Sequence, residues 1–250
     1  MRSRLTPARV TPARVTPARG RRRTALLGTA VTAAFVAGLM APASASAESN
    51  GGLRIMPLGD SITAGSNVAG GYRNRLWERA VTDKRLIDFV GTQYSGPATL
   101  PDRDNQGHSG YRIDQIDAGV ADWARRANPR TVLLHIGTND VNRNHDLAGA
   151  PARLSALIDH LTAAAPNADV FVASIIPFTN PAVEARGQAY NATIPGIVNE
   201  WVRKGRRVHF VDMHSALTSA DLADGVHPTA NGYAKMADRW YTTLRTGPWI

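Results

Sequence analysis

Cysteine is absent from all 250 residues, so no disulfide framework is available and the fold must be held by its apolar core. Acid is missing from the first 47 residues, which carry eight arginines (Arg2, Arg4, Arg9, Arg14, Arg19, Arg21, Arg22 and Arg23) and no Asp or Glu. That local imbalance accounts for most of the formal charge of +9. Residues 48–250 hold 21 basic and 20 acidic side chains, which removes the case for a nucleic-acid partner. Beyond residue 47 there is no apolar run long enough to span a bilayer, and no Ser/Gly/Pro linker leading to an appended binding module. A GxSxG nucleophile elbow is also absent, which argues against the standard α/β-hydrolase arrangement. What is present, 43% hydrophobic and 20% charged residues, excludes disordered and collagen-like chains and points to one globular core.

The arginine-rich start is followed by an apolar stretch over 24–40 and by small residues ending Ala45-Ser46-Ala47 before Glu48. A basic region, an apolar region and an AxA-like site make a secretory signal, with the mature single domain expected over 48–250. Gly28, Thr29, Thr32 and Gly38 dilute the apolar stretch, which favours a removed signal over a retained anchor. Arg22-Arg23 before Leu26-Leu27 permits either the general or the twin-arginine export route. The repeat TPARV-TPARV-TPARG over 6–20 has too short a period for a solenoid and a proline in every copy, so it reads as an extended basic region without function of its own.

From Leu53 onward, short continuous apolar runs alternate with helical patterns. Strands are expected over 53–58, 86–90, 131–136, 170–175 and 208–211, each too short and too uniformly apolar for an amphipathic helix. Helices are expected over 72–82, 114–126, 150–165, 183–204 and 229–244. This order implies an α/β fold, a five-stranded parallel sheet between two helix layers, with ligands at the carboxyl ends of the strands. The polar and glycine-rich segments fall there: GDSITAGSN after the first strand, a long loop from GTQYSG to HSGY after the second, GTNDVNRN after the third, PFTNP after the fourth and DLADGVHP after the fifth.

Ser61 in Gly59-Asp60-Ser61 sits where a nucleophile would need access, although a serine there can equally cap a helix. A serine needs a base, and His227 in Asp224-Gly225-Val226-His227-Pro228 is the best placed, with Asp224 three residues earlier to hold Nδ1 and fix the tautomer. Donors for an oxyanion are the Ser61 and Gly110 backbone N–H groups and the Asn139 side-chain amide in Gly137-Thr138-Asn139-Asp140. The other histidines have simpler readings: His135 and His209 in strands, His145 in a polar loop, His160 on a helix, His108 and His214 as rim residues.

Together GDSIT, HSGY, GTND and DGVH, in this order along the chain, resemble the blocks of the SGNH hydrolase (GDSL esterase/lipase) superfamily across residues 53–245. The resemblance implies a flavodoxin-like three-layer α/β/α fold, Ser61 as nucleophile, His227 as base, Asp224 as its orienter, and Ser61, Gly110 and Asn139 at the oxyanion hole. MPLGDSIT, GHSGYRID, LLHIGTND and DLADGVHP look more closely like the carbohydrate esterase branch of family three, whose acetyl xylan esterases remove acetyl groups from plant polysaccharides. One departure is Asn105-Gln106-Gly107, where an acidic residue would be expected before the glycine.

A lipase or phospholipase on the same scaffold is the second reading. Each buried acyl methylene is worth about 0.8 kcal/mol, so a long-chain enzyme should have an apolar rim. The rim segments Asp102-Arg103-Asp104-Asn105 and Asn142-Arg143-Asn144-His145 are polar instead, with Tyr72, Tyr111 or Phe178 as candidate sugar platforms. A non-catalytic carbohydrate-binding protein is a third reading. A metal site from Asp212, His214, Asp224 and His227 lacks any recognised ligand spacing, so no metal or other cofactor is expected. The expected partner is an acylated small molecule or polysaccharide, met outside the cell by a monomer with no stable membrane anchor.

Overall fold

The computed structural model describes residues 50–247. The arginine-rich leader, its repeat and the expected cleavage after Ala47 lie outside the described residues. Among those residues no helix is long and apolar enough to cross a membrane.

At the centre is β1 (Leu53–Gly59), paired in parallel with β5 (Thr131–His135), which leads outward to β6 (Asp169–Ala173) and β7 (Val208–Val211). The other edge of β1 is shared. Its first half pairs with β2 (Ile87–Phe89) and its last two residues pair with β4 (Asp104–Gly107), which carries the short antiparallel strand β3 (Gln93–Tyr94) outside it. Among the described residues the sheet therefore has six positions across and seven strands, correcting the five-stranded expectation. The additional pair lies inside what reads in sequence as a long loop. Asp-Asn-Gln-Gly has no apolar side chain to reveal a strand, and its two buried amides are satisfied locally: Asn105 donates to Ser95 Oγ and Gln106 to Thr92 Oγ1.

Side chains alternate between the two faces as the period of two requires. Met56, Leu58, Val132, Leu134, Val170 and Val172 pack under α3 (Ile113–Ala127), α5 (Ala150–Ala164) and α7 (Ile194–Arg203). Ile55, Leu133, Phe171 and Val211 face α2 (Tyr72–Thr82) and α8 (Ala230–Arg245). Full burial of each such side chain is worth about 1.5–3 kcal/mol, so each strand is held from both faces. The single helix expected over 183–204 is two, α6 (Pro181–Asn191) and α7, because Pro195 in the first turn of α7 cannot continue the hydrogen bonding of a preceding helix.

The polypeptide reverses direction across the sheet between β1 and β5, the first connection leading to one side of β1 and later ones to the other. In doubly wound sheets this is where a crevice opens at the strand carboxyl ends. Gly59 pairs with Gly107 on one side and with His135 on the other. The turns after β1, β4 and β5 therefore leave the sheet at one level, bringing GDS, HSG and GTN together.

Candidate active site

Ser61 opens α1 (Ser61–Ala64), a single turn capped by Asp60, whose carboxylate accepts the Ile62 N–H at 2.9 Å. The sharp exit from β1 requires glycine at 59: a Cβ there would overlap the His135 carbonyl of the neighbouring strand. Ser61 is mostly buried, and its Oγ lies 2.9 Å from His227 Nε2. His227 Nδ1 lies 2.8 Å from Asp224 Oδ2. With the ring proton on Nδ1, the imidazole donates to the carboxylate and Nε2 accepts from the serine hydroxyl.

The segment bearing this pair is tied down at both ends. Ala223 N–H donates to the His227 carbonyl, Thr229 N–H to that of Asp221, and Leu222 bridges Pro228. Pro228 stands just ahead of Thr229, which caps α8, instead of occupying the first helical turn. Asp224 Oδ1 accepts the N–H groups of Val226 and His227, and Oδ2 accepts from Asn67 Nδ2 at 3.2 Å as well as from the imidazole. Burial pushes this carboxyl up, but those hydrogen bonds outweigh it and hold it well below the usual carboxylate range. Asn67, in the left-handed region at φ 67°, is a site residue that the sequence pattern did not single out. Nothing in a lone Asn-Val pair marks it.

Gly110 has φ +80°, a conformation that favours glycine, and its N–H has no partner among the described residues; neither has that of Ser61. Asn139, near the start of α4 (Thr138–Asn142), donates from Nδ2 to the Tyr111 carbonyl at 2.9 Å, which fixes its amide against the Gly110 segment and leaves a second N–H on the same nitrogen. The next residue, Asp140, is structural: it accepts from Ile113 N–H and pairs with Arg153 at 3.1 Å. Behind Gly110, the His108 ring stacks between Tyr111 and Trp123, at centroid distances of 4.8 and 4.5 Å.

Several expected site neighbours lie elsewhere. Tyr72 is fully buried with its ring 6.2 Å from Trp240, and Phe178 is a core residue, so neither is a sugar platform; large aromatic side chains gain more from burial than from the rim. Asp102, Arg103, Asp104 and Asn105 do not form the catalytic rim. They run alongside β2, where Asp102 accepts the Phe89 N–H, because β4 enters from the sheet edge. Asn142, Arg143, Asn144 and His145 are exposed on the rim, with Arg143 beside Gly110. His214 binds Glu184, whereas Asp212 accepts from Ser215 N–H. Among the described residues no cluster of three or more His, Asp or Glu side chains has the arrangement of a metal site. His135 is fully buried, and burial lowers its ring to about 4, keeping it neutral.

Asp60 is fully buried beside the serine, with one carboxylate oxygen lacking a partner, and burial raises it to about 6. A carboxyl that retains its proton longer in the native state makes folding less favourable as pH rises from about 4 to 6. Asp60→Asn preserves the cap and removes that penalty, on the order of 3 kcal/mol. Thermal melts should show the variant more stable than wild type at pH 7–8, with the difference vanishing near pH 4. A constant difference across that range would place the effect in packing instead.

The chain matches the GDSL-like lipase/acylhydrolase family over residues 58–235. It is 35% identical over 218 residues to a multidomain esterase of Ruminococcus flavefaciens, covering 76% of this chain and 28% of that protein. The chain thus spans little more than a quarter of that relative's length. A Clostridium thermocellum family 3 carbohydrate esterase superposes with a TM-score of 0.70 at 37% identity, covering 78% of this chain and 98% of that one. A carbohydrate esterase family 3 protein from Talaromyces cellulolyticus does so with a TM-score of 0.68 at 30% identity, covering 78% and 97%.

Proposed function

Since the chain belongs to the GDSL-like lipase/acylhydrolase family of ester hydrolases, we propose that it is a secreted serine esterase removing short acyl groups, acetyl foremost, from carbohydrate. The observation that carries this reading is the unbroken chain from Ser61 Oγ through His227 to Asp224, together with the Ser61 and Gly110 N–H groups, which have no acceptor among the described residues.

In the proposed reaction the Ser61 hydroxyl attacks the ester carbonyl while His227 Nε2 takes its proton. Asp224 holds the ring and stabilises the imidazolium. The developing oxyanion is received by the Ser61 and Gly110 N–H groups and by Asn139 Nδ2. Collapse of the tetrahedral intermediate breaks the bond to the sugar oxygen, which leaves with the proton from His227. Water, deprotonated by the same imidazole, then attacks the acyl-Ser61 ester, and collapse breaks the acyl bond to Oγ, which takes the proton back from His227 as the carboxylic acid is released.

The acetyl preference is supported by the exposed polar segment Asn142 to His145 and by the carbohydrate esterases to which the chain is similar. Against a polar rim each added methylene gains little burial, so kcat/KM for p-nitrophenyl esters should fall beyond about four carbons. Acetylated xylan or another acetylated glycan should release acetate, and triglyceride emulsions should be poor substrates. A kcat/KM rising steadily from acetate to octanoate, with no acetate released from any glycan, would establish a lipase instead.

Secretion rests on the pattern of residues 1–47. N-terminal sequencing of extracellular protein should give a start near Glu48, and an extracellular product retaining the arginine repeat would refute removal.

A further inference from the structure

The segment from Pro101 to Arg103, excluded from the catalytic rim by the way β4 enters the sheet, lines a cavity of about 220 Å³ at the sheet edge together with Trp77, Leu86 and Tyr94. Large apolar side chains are mostly buried in this protein. Yet Leu86 and Tyr94 are 62% and 65% exposed, and both face this one cavity. Its walls are braced by fixed contacts. Asp102 is held by the N–H groups of Phe89 and Asp104, and Trp77 packs on Phe89 with ring centroids 5.9 Å apart. The Arg103 guanidinium lies 4.4 Å above the Tyr94 ring.

We propose that this cavity is a second saccharide-binding site that holds a neutral polysaccharide chain away from Ser61. A pyranose presents an apolar C–H face and a rim of hydroxyls. Trp77 and Tyr94 offer ring surface for the first, while Asp102 and Arg103, of opposite charge, offer an acceptor and donors for the second without selecting a charged ligand. The site is joined to the catalytic loops. β4 runs from beside Arg103 to Gly107, roughly 13 Å at the rise of a strand, and Gly107 packs directly on Ala64 in the turn begun by Ser61. The buried Arg73 also donates to the carbonyls of Arg103, Ser95 and Ala64, binding the cavity wall to that turn. A polymer seated at the edge would keep neighbouring ester groups near the serine between turnovers.

The choice of saccharide as ligand rests on the carbohydrate reading above. Native gel electrophoresis of the full chain in soluble deacetylated xylan tests the site. Wild type should be retarded, and Tyr94→Ala, at an exposed ring, and Arg103→Ala, at a half-buried side chain, should each weaken binding about tenfold, the loss of roughly 1.4 kcal/mol expected for a stacked ring or its cationic cap. Both variants should hydrolyse p-nitrophenyl acetate as wild type does, while releasing acetate more slowly from acetylated polymer but not from an acetylated monosaccharide. Wild-type migration unaffected by xylan, or equal retardation of all three proteins, overturns the second site, including the case in which the chain's own preceding segment covers the cavity. If p-nitrophenyl acetate is cleaved but no sugar ester is, it is the carbohydrate reading that fails.

Discussion

Ser61→Ala is expected to lower kcat for acetyl esters by on the order of 10⁶-fold, as loss of a nucleophile does in serine hydrolases, with an unchanged melting temperature. The magnitude follows from the geometry. The hydroxyl's one hydrogen bond is to His227 Nε2, at 2.9 Å, and the Ser61 and Gly110 N–H groups have no acceptor among the described residues. Removing one oxygen leaves the oxyanion donors in place, so residual turnover over water should persist from those alone. Packing is barely touched, because α1 is held by the Asp60 cap and the Ile62 side chain. A serine-reactive organophosphonate should add one adduct to wild type, at Ser61 by peptide mass spectrometry, and none to the variant. Labelling of another serine, or a variant retaining more than a few per cent of activity, would overturn the assignment.

Asp224→Asn should lower kcat by up to about 10⁴-fold with little change in KM, since the orienting group of a serine triad acts on the tautomer and on the imidazolium. An asparagine can keep its carbonyl oxygen on the N–H groups of Val226 and His227, as Asp224 Oδ1 does now. Its NH₂ then faces both Asn67 Nδ2 and His227 Nδ1, where the carboxylate now accepts from each. Two donors confront each other, and the ring is driven to carry its proton on Nε2, unable to accept from Ser61. The pH dependence separates this role from a general one in stability. Because the native carboxyl is held below the usual carboxylate range, its contribution to stability is complete above about pH 4. It is lost only as pH falls further, through the native value. At pH 6–8 the variant should therefore show the full kinetic loss as a flat deficit, while its reduced melting temperature relative to wild type recovers only in strong acid. A loss of less than tenfold would mean that a neighbouring carbonyl holds the imidazole. Activity abolished by a chelator and restored by a divalent ion would transfer Asp224 to a metal role.

The strands and helices that were legible in sequence are those whose side chains face the core. β1, β5 and β6 appear as predominantly apolar runs because helices cover both faces, and α2 begins and ends where its pattern predicts. The hairpin β3–β4 was not legible, because it lies at an edge and its buried amides bond locally, so no periodicity in hydrophobicity marks it. The break between α6 and α7 was written in Pro195 but hidden by apolar spacing that continues across it. Ser61 and Asn139 could be placed at strand ends from sequence, whereas Gly110, expected after the second strand, follows β4, which the sequence did not reveal; the two unpartnered N–H groups were not legible either, because whether an N–H is free depends on every neighbour that accepts from it.

By itself the sequence determined the α/β class, the strands that carry Ser61 and Asn139, and the chemical identity of the four blocks, because hydrophobic periodicity and residue type are local properties. Tertiary structure alone decided three further things. It brought Ser61 within hydrogen-bonding distance of a histidine 166 positions away. It turned Tyr72 and Phe178 into the core and moved Asp102 to Asn105 from the rim to the sheet edge. It also added Asn67 to the carboxylate that orients the base. Each depends on which strands are neighbours and at what register, and that is set by the packing of both helix layers on the sheet at once, a free energy that no single segment contains.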